Sequence, residues 1–495
     1  MTDLRHSRAL RLGAGASGVS ESETAARLAR AHVALSVDPT FAGAVETAET
    51  LVDTLARRPG NLTLLDVSDE LEQGLIARIR SIDPDYPVQT ATSLPADATM
   101  TVHIGASGEE RAGDEPHLVA LPDNQGARLA SDGSSLTQLK APSSLGTMTT
   151  AALVAAEIFK HSAGVRPERM TLHRRLAFCP VTLSDDLTLA HALRATSVDL
   201  ALVGLGAVGT AAAQILSRLP LHGHALLVDR QPLAVENLGT YSAGGFADLG
   251  RPKVDIVAEL LTNFETIKFD GDIADVPPLI DARELPWPGF LLAGLDSVDA
   301  RHATQRVWPD HLIDGATGDT AAGIHEVFGA GQPCLQCFLP PPQPSESSLV
   351  ELAKATGLAI DQLANGDRPL LEHDLQGLNN EQRGRLEVHL GKPICGLAHA
   401  LGLTSDDEND TYQPSVPFVS QLAAALVVGR LISRLATPDA ALPNFVQFDA
   451  LIGPQSIHKE SRRGRSGCYC AENEAIIDAV RASRQRLRAE RDAVG

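Results

Sequence analysis

Leu200-Ala201-Leu202-Val203-Gly204-Leu205-Gly206-Ala207-Val208-Gly209 is the stretch that decides how this chain folds. Four apolar residues read as a buried strand, the glycines as a tight turn, and the apolar run through Ala211 to Leu219 as a helix. A second strand, Ala225 to Val228, ends in Asp229, which completes a βαβ unit. Gly204, Gly206 and Gly209 allow a sharp turn and bring phosphates close to backbone amides at a helix N-terminus. Asp229 follows Gly209 by 20 positions, the place where a carboxylate meets ribose hydroxyls. Alone, this fingerprint specifies a dinucleotide or an adenine nucleotide and no more.

Further strands follow at Phe290 to Gly294 and His311 to Ile313, and a long apolar helix at Pro417 to Leu435. Residues 31–164 run through the same order of elements. A strand (Val33 to Val37) leads through Gly43 to a helix (Ala44 to Arg57), and a strand (Leu62 to Leu65) ends in Asp66. Strands at Met100 to Ile104 and His117 to Leu121 and a helix at Thr149 to Lys160 complete the block. The expectation is an internal duplication whose first copy lacks the glycine loop, since Val37-Asp38-Pro39-Thr40-Phe41-Ala42-Gly43 stands in its place. Two unrelated α/β domains are the alternative.

The chain has 495 residues, enough for about three folding units. Lys and Arg number 42 against 62 Asp and Glu, a formal charge of -20 that repels polyanions and argues against a nucleic-acid partner. The absence of a run of 18 apolar residues, and a first stretch that mixes Arg with Glu, lead us to expect no membrane span and a cytoplasmic location. Six cysteines (Cys179, Cys334, Cys337, Cys395, Cys468, Cys470) are too few for a disulfide scaffold. Cys334-Leu335-Gln336-Cys337 with Cys468-Tyr469-Cys470 offers four thiolates, the donor set of a closed structural Zn²⁺ site. Cys179 reads as a buried thiol. His302, His311 and His325 lack ligand spacing and read as surface or core histidines, and Glu472 to Asp492 as a solvated terminal helix.

The segments after Asp229 carry a resemblance. Asn237 follows Asp229 by eight positions and Lys253 follows sixteen later; then come Gly294-Leu295-Asp296-Ser297 with Arg301, Gly315-Ala316, the cysteine pairs, and Pro414-Ser415-Val416-Pro417-Phe418-Val419. Together these resemble the adenylation domain of the ThiF, MoeB and ubiquitin-activating enzyme superfamily, over about residues 199–470. Arg5-His6-Ser7-Arg8-Ala9-Leu10-Arg11-Leu12 is similar to the family's opening segment, whose second arginine enters the partner's ATP site in homodimers.

The resemblance implies an α/β fold of two Rossmann-like, ThiF-type halves packed as an internal pseudo-dimer, the second carrying a helical catalytic-cysteine insertion and a structural zinc site. The expected layout is an inactive adenylation-like domain (1–165), a linker (166–195), an active adenylation domain in two parts (196–340 and 413–470), a catalytic-cysteine insertion (341–412) and a C-terminal helix (471–495). It further implies ATP on Gly204, Gly206, Gly209 and Asp229, Mg²⁺ near Asp296 with Arg301 beside it, and Asn237, Lys253 and Arg8 as polar and cationic stabilisers. Cys395, in the crossover segment, takes the place of the thioester-forming cysteine.

The implied activity is adenylation of the C-terminal glycine of a ubiquitin-like protein, followed by thioester formation and transfer to a conjugating enzyme, as in bacterial ubiquitin-activating-like (Bil-type) proteins. Association into a homodimer is left open. Activation of a sulfur carrier, an inactive scaffold and an NAD-dependent dehydrogenase are the rival readings. The chain departs from the family at Gln231, where a second Asp is usual, and at Thr240-Tyr241, where an Arg-Gln pair is usual.

Overall fold

The computed structural model describes residues 5–106, 115–165, 172–189, 193–329, 331–340, 346–364, 370–391 and 416–492. Two sheets form, and the central strands of each follow from apolar runs bounded by Gly, Pro or Asp. The first contains β1 (His32–Val37), β2 (Asn61–Leu65), β3 (Val88–Ala91), β4 (Met100–Ile104), β5 (His117–Asp123), β6 (Gly126–Ala130) and β7 (Arg175–Phe178), in the order β3-β2-β1-β4-β5-β6-β7. The second contains β8 (Thr196–Ser197), β9 (Leu200–Val203), β10 (Leu221–Asp229), β11 (Phe264–Asp270), β12 (Phe290–Ala293), β13 (His311–Gly318), β14 (Ala321–Phe328), β15 (Phe445–Asp449) and β16 (His458–Glu460). Its order is β11-β10-β9-β12-β13-β14-β15-β16, with β8 paired to β10.

All seven strands of the first sheet have a counterpart in the second, in the same order, and β8 and β16 are additions to the second. In each, the first five strands of the path are parallel and the later ones antiparallel. In each, the direction of winding reverses at the first strand of the half: β1 lies between β2 and β4, and β9 between β10 and β12. Ligands of open parallel sheets sit beyond the strand ends at that reversal.

The halves share one core. Helices Ala44–Leu55 and Ser144–Ala163 of the first half pack with Ala207–Leu216 and Pro417–Ala436 of the second, in a layer between the sheets. Leu51, Leu55, Ile158, Ile215, Leu426 and Leu431 are buried in a single continuous cluster. Phe159 and Phe418 meet across the halves with ring centroids 5.5 Å apart. Two buried polar pairs cross the same boundary: Gln421 Nε2 donates to Thr54 Oγ1 at 2.8 Å, and Ser144 Oγ to the Ile215 carbonyl at 2.7 Å. Helix Pro417–Ala436 is long and apolar enough to cross a membrane, yet 94% of its apolar window is buried inside the fold.

Two expectations need correction. Residues 166–195, read as a linker, supply β7, which extends the first sheet beside β6; four residues with mixed burial carry too weak a pattern to be read in advance. The terminal helix Glu474–Asp492 is not merely solvated. Its Arg484 is 3% exposed and donates to both Asp281 oxygens at 2.9 and 3.0 Å and to the carbonyls of Arg306 and Val307 at 2.9 and 2.7 Å. A helix that is Arg/Glu-rich on its outer face hides one long side chain that reaches inward, apolar stem first.

Residues 340–413 form a compact unit of their own. Its described part has helices Glu346–Thr356, Ile360–Ala364 and Asn380–Glu387. Leu352, Leu358, Leu363, Leu370, Leu375 and Leu386 make its core. Asn379 starts the last helix by accepting from the Gln382 amide at 2.8 Å, with the Gln382 side chain accepting in return from the Asn379 amide at 3.3 Å. Cys395 lies outside the described residues.

Candidate functional site

The ends of β9, β10 and β12 lie side by side, since Val203 pairs with both Val228 and Ala293. Gly204 and Gly294 follow β9 and β12, and Asp229 is the last residue of β10. Gly204 has φ of 79°, a left-handed conformation that turns the chain sharply out of β9. At Gly209 a Cβ would fall 2.2 Å from the Gly204 carbonyl oxygen, so the helix Ala207–Leu216 starts hard against the turn only because that position is glycine. Over Gly206, by contrast, a Cβ would meet nothing closer than 3.9 Å. The opening faces the first-turn amides of a 10-residue helix, which have no partner within the helix.

Asp229 organises this opening. Its Oδ2 accepts from the Leu205 amide at 2.7 Å and its Oδ1 from the Gln231 amide at 2.8 Å, which ties the end of β10 to the glycine turn. Each oxygen keeps a second lone pair. Gln231 then accepts from Lys253 Nζ at 2.9 Å. Lys253 is 3% exposed, lies 6.0 Å from the Tyr241 ring centroid, and pairs with no carboxylate among the described residues. It begins helix Lys253–Leu260.

The loop between Asp229 and that helix contributes three further groups. Asn237 Oδ1 accepts from the Ala234 amide at 3.0 Å, closing a short turn. Thr240 Oγ1 receives Arg8 Nη1 at 3.5 Å, so the N-terminal arginine does reach the second half. Tyr241 is buried and donates its hydroxyl to the Leu205 carbonyl. Burial, with the Asp229 charge adding to it, pushes the Tyr241 phenol well above its ordinary value, which keeps it a donor. Tyr241 looked only like a departure from a family pattern. The signal that could have found it is general: a buried tyrosine hydroxyl needs a partner.

Asp296 is exposed beyond β12, two residues after Gly294. Arg301 is 9% exposed and donates from Nε and Nη2 to the Leu295 carbonyl at 3.0 and 2.8 Å and from Nη1 to Asp314 Oδ2 at 3.2 Å. Asp314, fully buried, also accepts from His325 Nδ1 at 2.9 Å. The guanidinium therefore braces the Gly294–Asp296 turn from beneath. His302 meets the Leu339 carbonyl at 2.8 Å.

The four cysteines converge. Cys334 and Cys468 sulfurs are 3.5 Å apart, Cys337 and Cys470 3.5 Å, Cys334 and Cys337 3.9 Å, and all four lie within 4.8 Å of one another. Four thiolates at about 2.3 Å around a tetrahedral Zn²⁺ stand roughly 3.8 Å apart, so the set fits that ion with no open position. The tight Cys-x-Cys spacing works because Gly467, at φ 75°, bends the chain before Cys468, which starts the short helix Tyr469–Glu472. The Arg465 amide donates to Cys337 Sγ at 3.4 Å. Ile477 of the terminal helix packs on the cluster. Cys179 is fully buried, away from this set.

Comparison with known proteins places the match on the second half. The sequence model of the ThiF family matches residues 182–470. A curated relative, the uncharacterized protein y4jF of Sinorhizobium fredii, is 27% identical over 230 residues, covering 45% of this chain and 41% of that protein. The chain thus spans less than half the length of that relative. Among solved structures, E. coli MccB with ATP matches at 13% identity and a TM-score of 0.35, over 56% of this chain and 67% of that one. MccB in complex with N-formylated MccA matches at 15% identity and a TM-score of 0.34, over 55% and 67%.

Proposed function

The chain belongs to the ThiF family, and from that premise we propose that its second half adenylates the C-terminal carboxylate of a protein, most specifically the terminal glycine of a ubiquitin-like protein. The observation that carries the reading is Lys253, a buried ammonium held by neutral Gln231 beside the open glycine turn. Among the described residues no carboxylate pairs with that ammonium, a buried cation is costly to keep without one, and a phosphate chain on the turn would supply negative charge there.

In this reading ATP lies with its phosphates over Gly206, at the helix N-terminus, and its ribose hydroxyls on the free lone pairs of Asp229. Asp296 would hold Mg²⁺, whose charge neutralises the phosphates when bound. The acceptor carboxylate is already ionised at neutral pH, so no base is required; its oxygen attacks the α-phosphorus and pyrophosphate leaves. What the site must supply is position and positive charge as the phosphorus becomes five-coordinate. Lys253 and Arg8 supply charge, Asn237 a polar contact, and Arg301 keeps the Asp296 turn in place. The cysteine quartet would hold a structural Zn²⁺ that pins residues 465–472 and the terminal helix to the fold.

We further propose that the Cys395 thiolate displaces AMP from the acyl adenylate, giving a thioester that a conjugating enzyme's cysteine accepts. The test is incubation with ATP, Mg²⁺ and ubiquitin-like proteins ending in glycine, followed by intact mass with and without reductant. A thiol-labile adduct that vanishes in Cys395→Ala supports the whole sequence. Pyrophosphate release with no adduct would leave the adenylation and remove the thioester, as sulfur-carrier activation requires.

A further inference from the structure

The loop 235–245 is gripped by the other half of the molecule. Arg57, in the turn after helix Ala44–Leu55 of the first half, is 3% exposed and donates from Nη1 to the Leu238 carbonyl at 2.7 Å and from Nη2 to the Gly244 carbonyl at 3.0 Å. Burial pulls its pKa down to about 10, so it stays charged at neutral pH. Two backbone contacts tighten the grip. A Cβ on Gly239 would fall 1.9 Å from the Arg5 carbonyl oxygen, and one on Gly245 would fall 2.2 Å from that of Ser81. Between the two carbonyls that Arg57 holds lie Thr240, which meets Arg8, and Tyr241, which donates to Leu205 inside the glycine turn.

We propose that Arg57 is a positioning residue for the nucleotide site: by bridging the Leu238 and Gly244 carbonyls it fixes Tyr241, and through Tyr241 the Leu205 peptide on which the phosphate turn is built. This rests on the reading of that turn as an ATP site. It assigns the first half, which has no glycine loop of its own, a task inside the site of the second. A charged donor on two carbonyls is a strong tether, and the guanidinium's planar fork spans them as an ammonium would not.

Two measurements on the full chain test this. The first is amide hydrogen exchange of the nucleotide-free protein. Arg57→Met is expected to speed exchange over 205–209 and 238–245 by about tenfold or more, with the rest of the sheet unchanged. The second is binding of a non-hydrolysable ATP analogue, expected to weaken by roughly 10- to 100-fold, with Arg57→Lys recovering part of the loss. Gly245→Ala, which displaces the loop and leaves Arg57 in place, is expected to weaken binding likewise and stands in where Arg57→Met does not fold. Wild-type binding with both variants within twofold of it overturns the clamp. A wild type that binds no nucleotide overturns the adenylation reading instead, and the exchange measurement still decides whether the clamp exists.

Discussion

Replacing Lys253 by methionine should separate stability from activity. The side chain is 3% exposed, and its described hydrogen bond goes to the neutral Gln231 amide at 2.9 Å. Methionine preserves most of the buried stem and removes the charge. Desolvating an ammonium costs several kcal/mol, and a hydrogen bond from a charged donor returns about 1.5–3 kcal/mol, so the nucleotide-free variant is expected to be as stable as the wild type or up to about 2 kcal/mol more stable. Gln231 is exposed, and water replaces its lost donor. In the reaction the same substitution removes a pre-placed positive charge from the phosphoryl group, a loss of about 3–4 kcal/mol, or 10²- to 10³-fold in rate. Scanning calorimetry without nucleotide and ATP–pyrophosphate exchange with acceptor measure the two effects on one preparation. An unchanged exchange rate together with a fall in melting temperature would make Lys253 a structural residue and refute the reasoning.

Three other outcomes follow from the same geometry. Cys468→Ser should lower bound zinc from one equivalent per chain towards none, read by atomic absorption, and loosen the terminal helix Glu474–Asp492, read by faster exchange around Ile477. Phe418→Ala should cost about 3–5 kcal/mol and lower both halves in a single calorimetric transition, because Phe418 meets Phe159 of the first half in a shared core. His311 is stacked between Phe290 and Phe328 at 4.8 and 5.5 Å, and burial, aided by Arg434 against the pull of Glu326, holds its pKa below the ordinary value. A depressed histidine contributes stability that is present above its unfolded pKa of about 6.5 and lost as pH falls through the folded value. His311→Gln should therefore flatten the fall in melting temperature on that acid side.

The parts of the fold that were legible are those where burial is complete. β9, the second part of β10 (Ala225 to Val228) and β12 are buried apolar runs closed by Gly or Asp, and the mostly buried, mostly apolar β1, β2 and β4 are closed in the same way. Strands with one wet face were not read: β3 is largely exposed and β11 alternates, so neither forms a continuous apolar run. The short, mixed strand in the supposed linker shares that limit, whereas β6 and β14 are almost wholly buried and were hidden because Gly126 and Arg128, and Gly323, His325 and Glu326, interrupt their apolar runs. The glycine turn before the helix, Asp229 at the end of β10 and each cysteine pair could be picked out because each rests on local spacing, whereas the meeting of the two pairs, 133 and 134 positions apart, shows only in the fold. Arg57 was not, since its partners, Leu238 and Gly244, lie 181 and 187 positions away and are backbone carbonyls that leave no mark on composition. Arg301 was singled out as a neighbour of Asp296 by resemblance, and its three hydrogen bonds go to the Leu295 carbonyl and to Asp314, beneath that turn.

The reaction proposed for the second half joins AMP to the carboxyl terminus of another protein. ATP–pyrophosphate exchange, measured with a ubiquitin-like protein ending in a free glycine carboxylate and with the same protein amidated at that glycine, tests it most directly. Exchange is expected with the free carboxylate and none with the amide. Exchange at equal rates with both, or with no acceptor at all, would contradict that reaction.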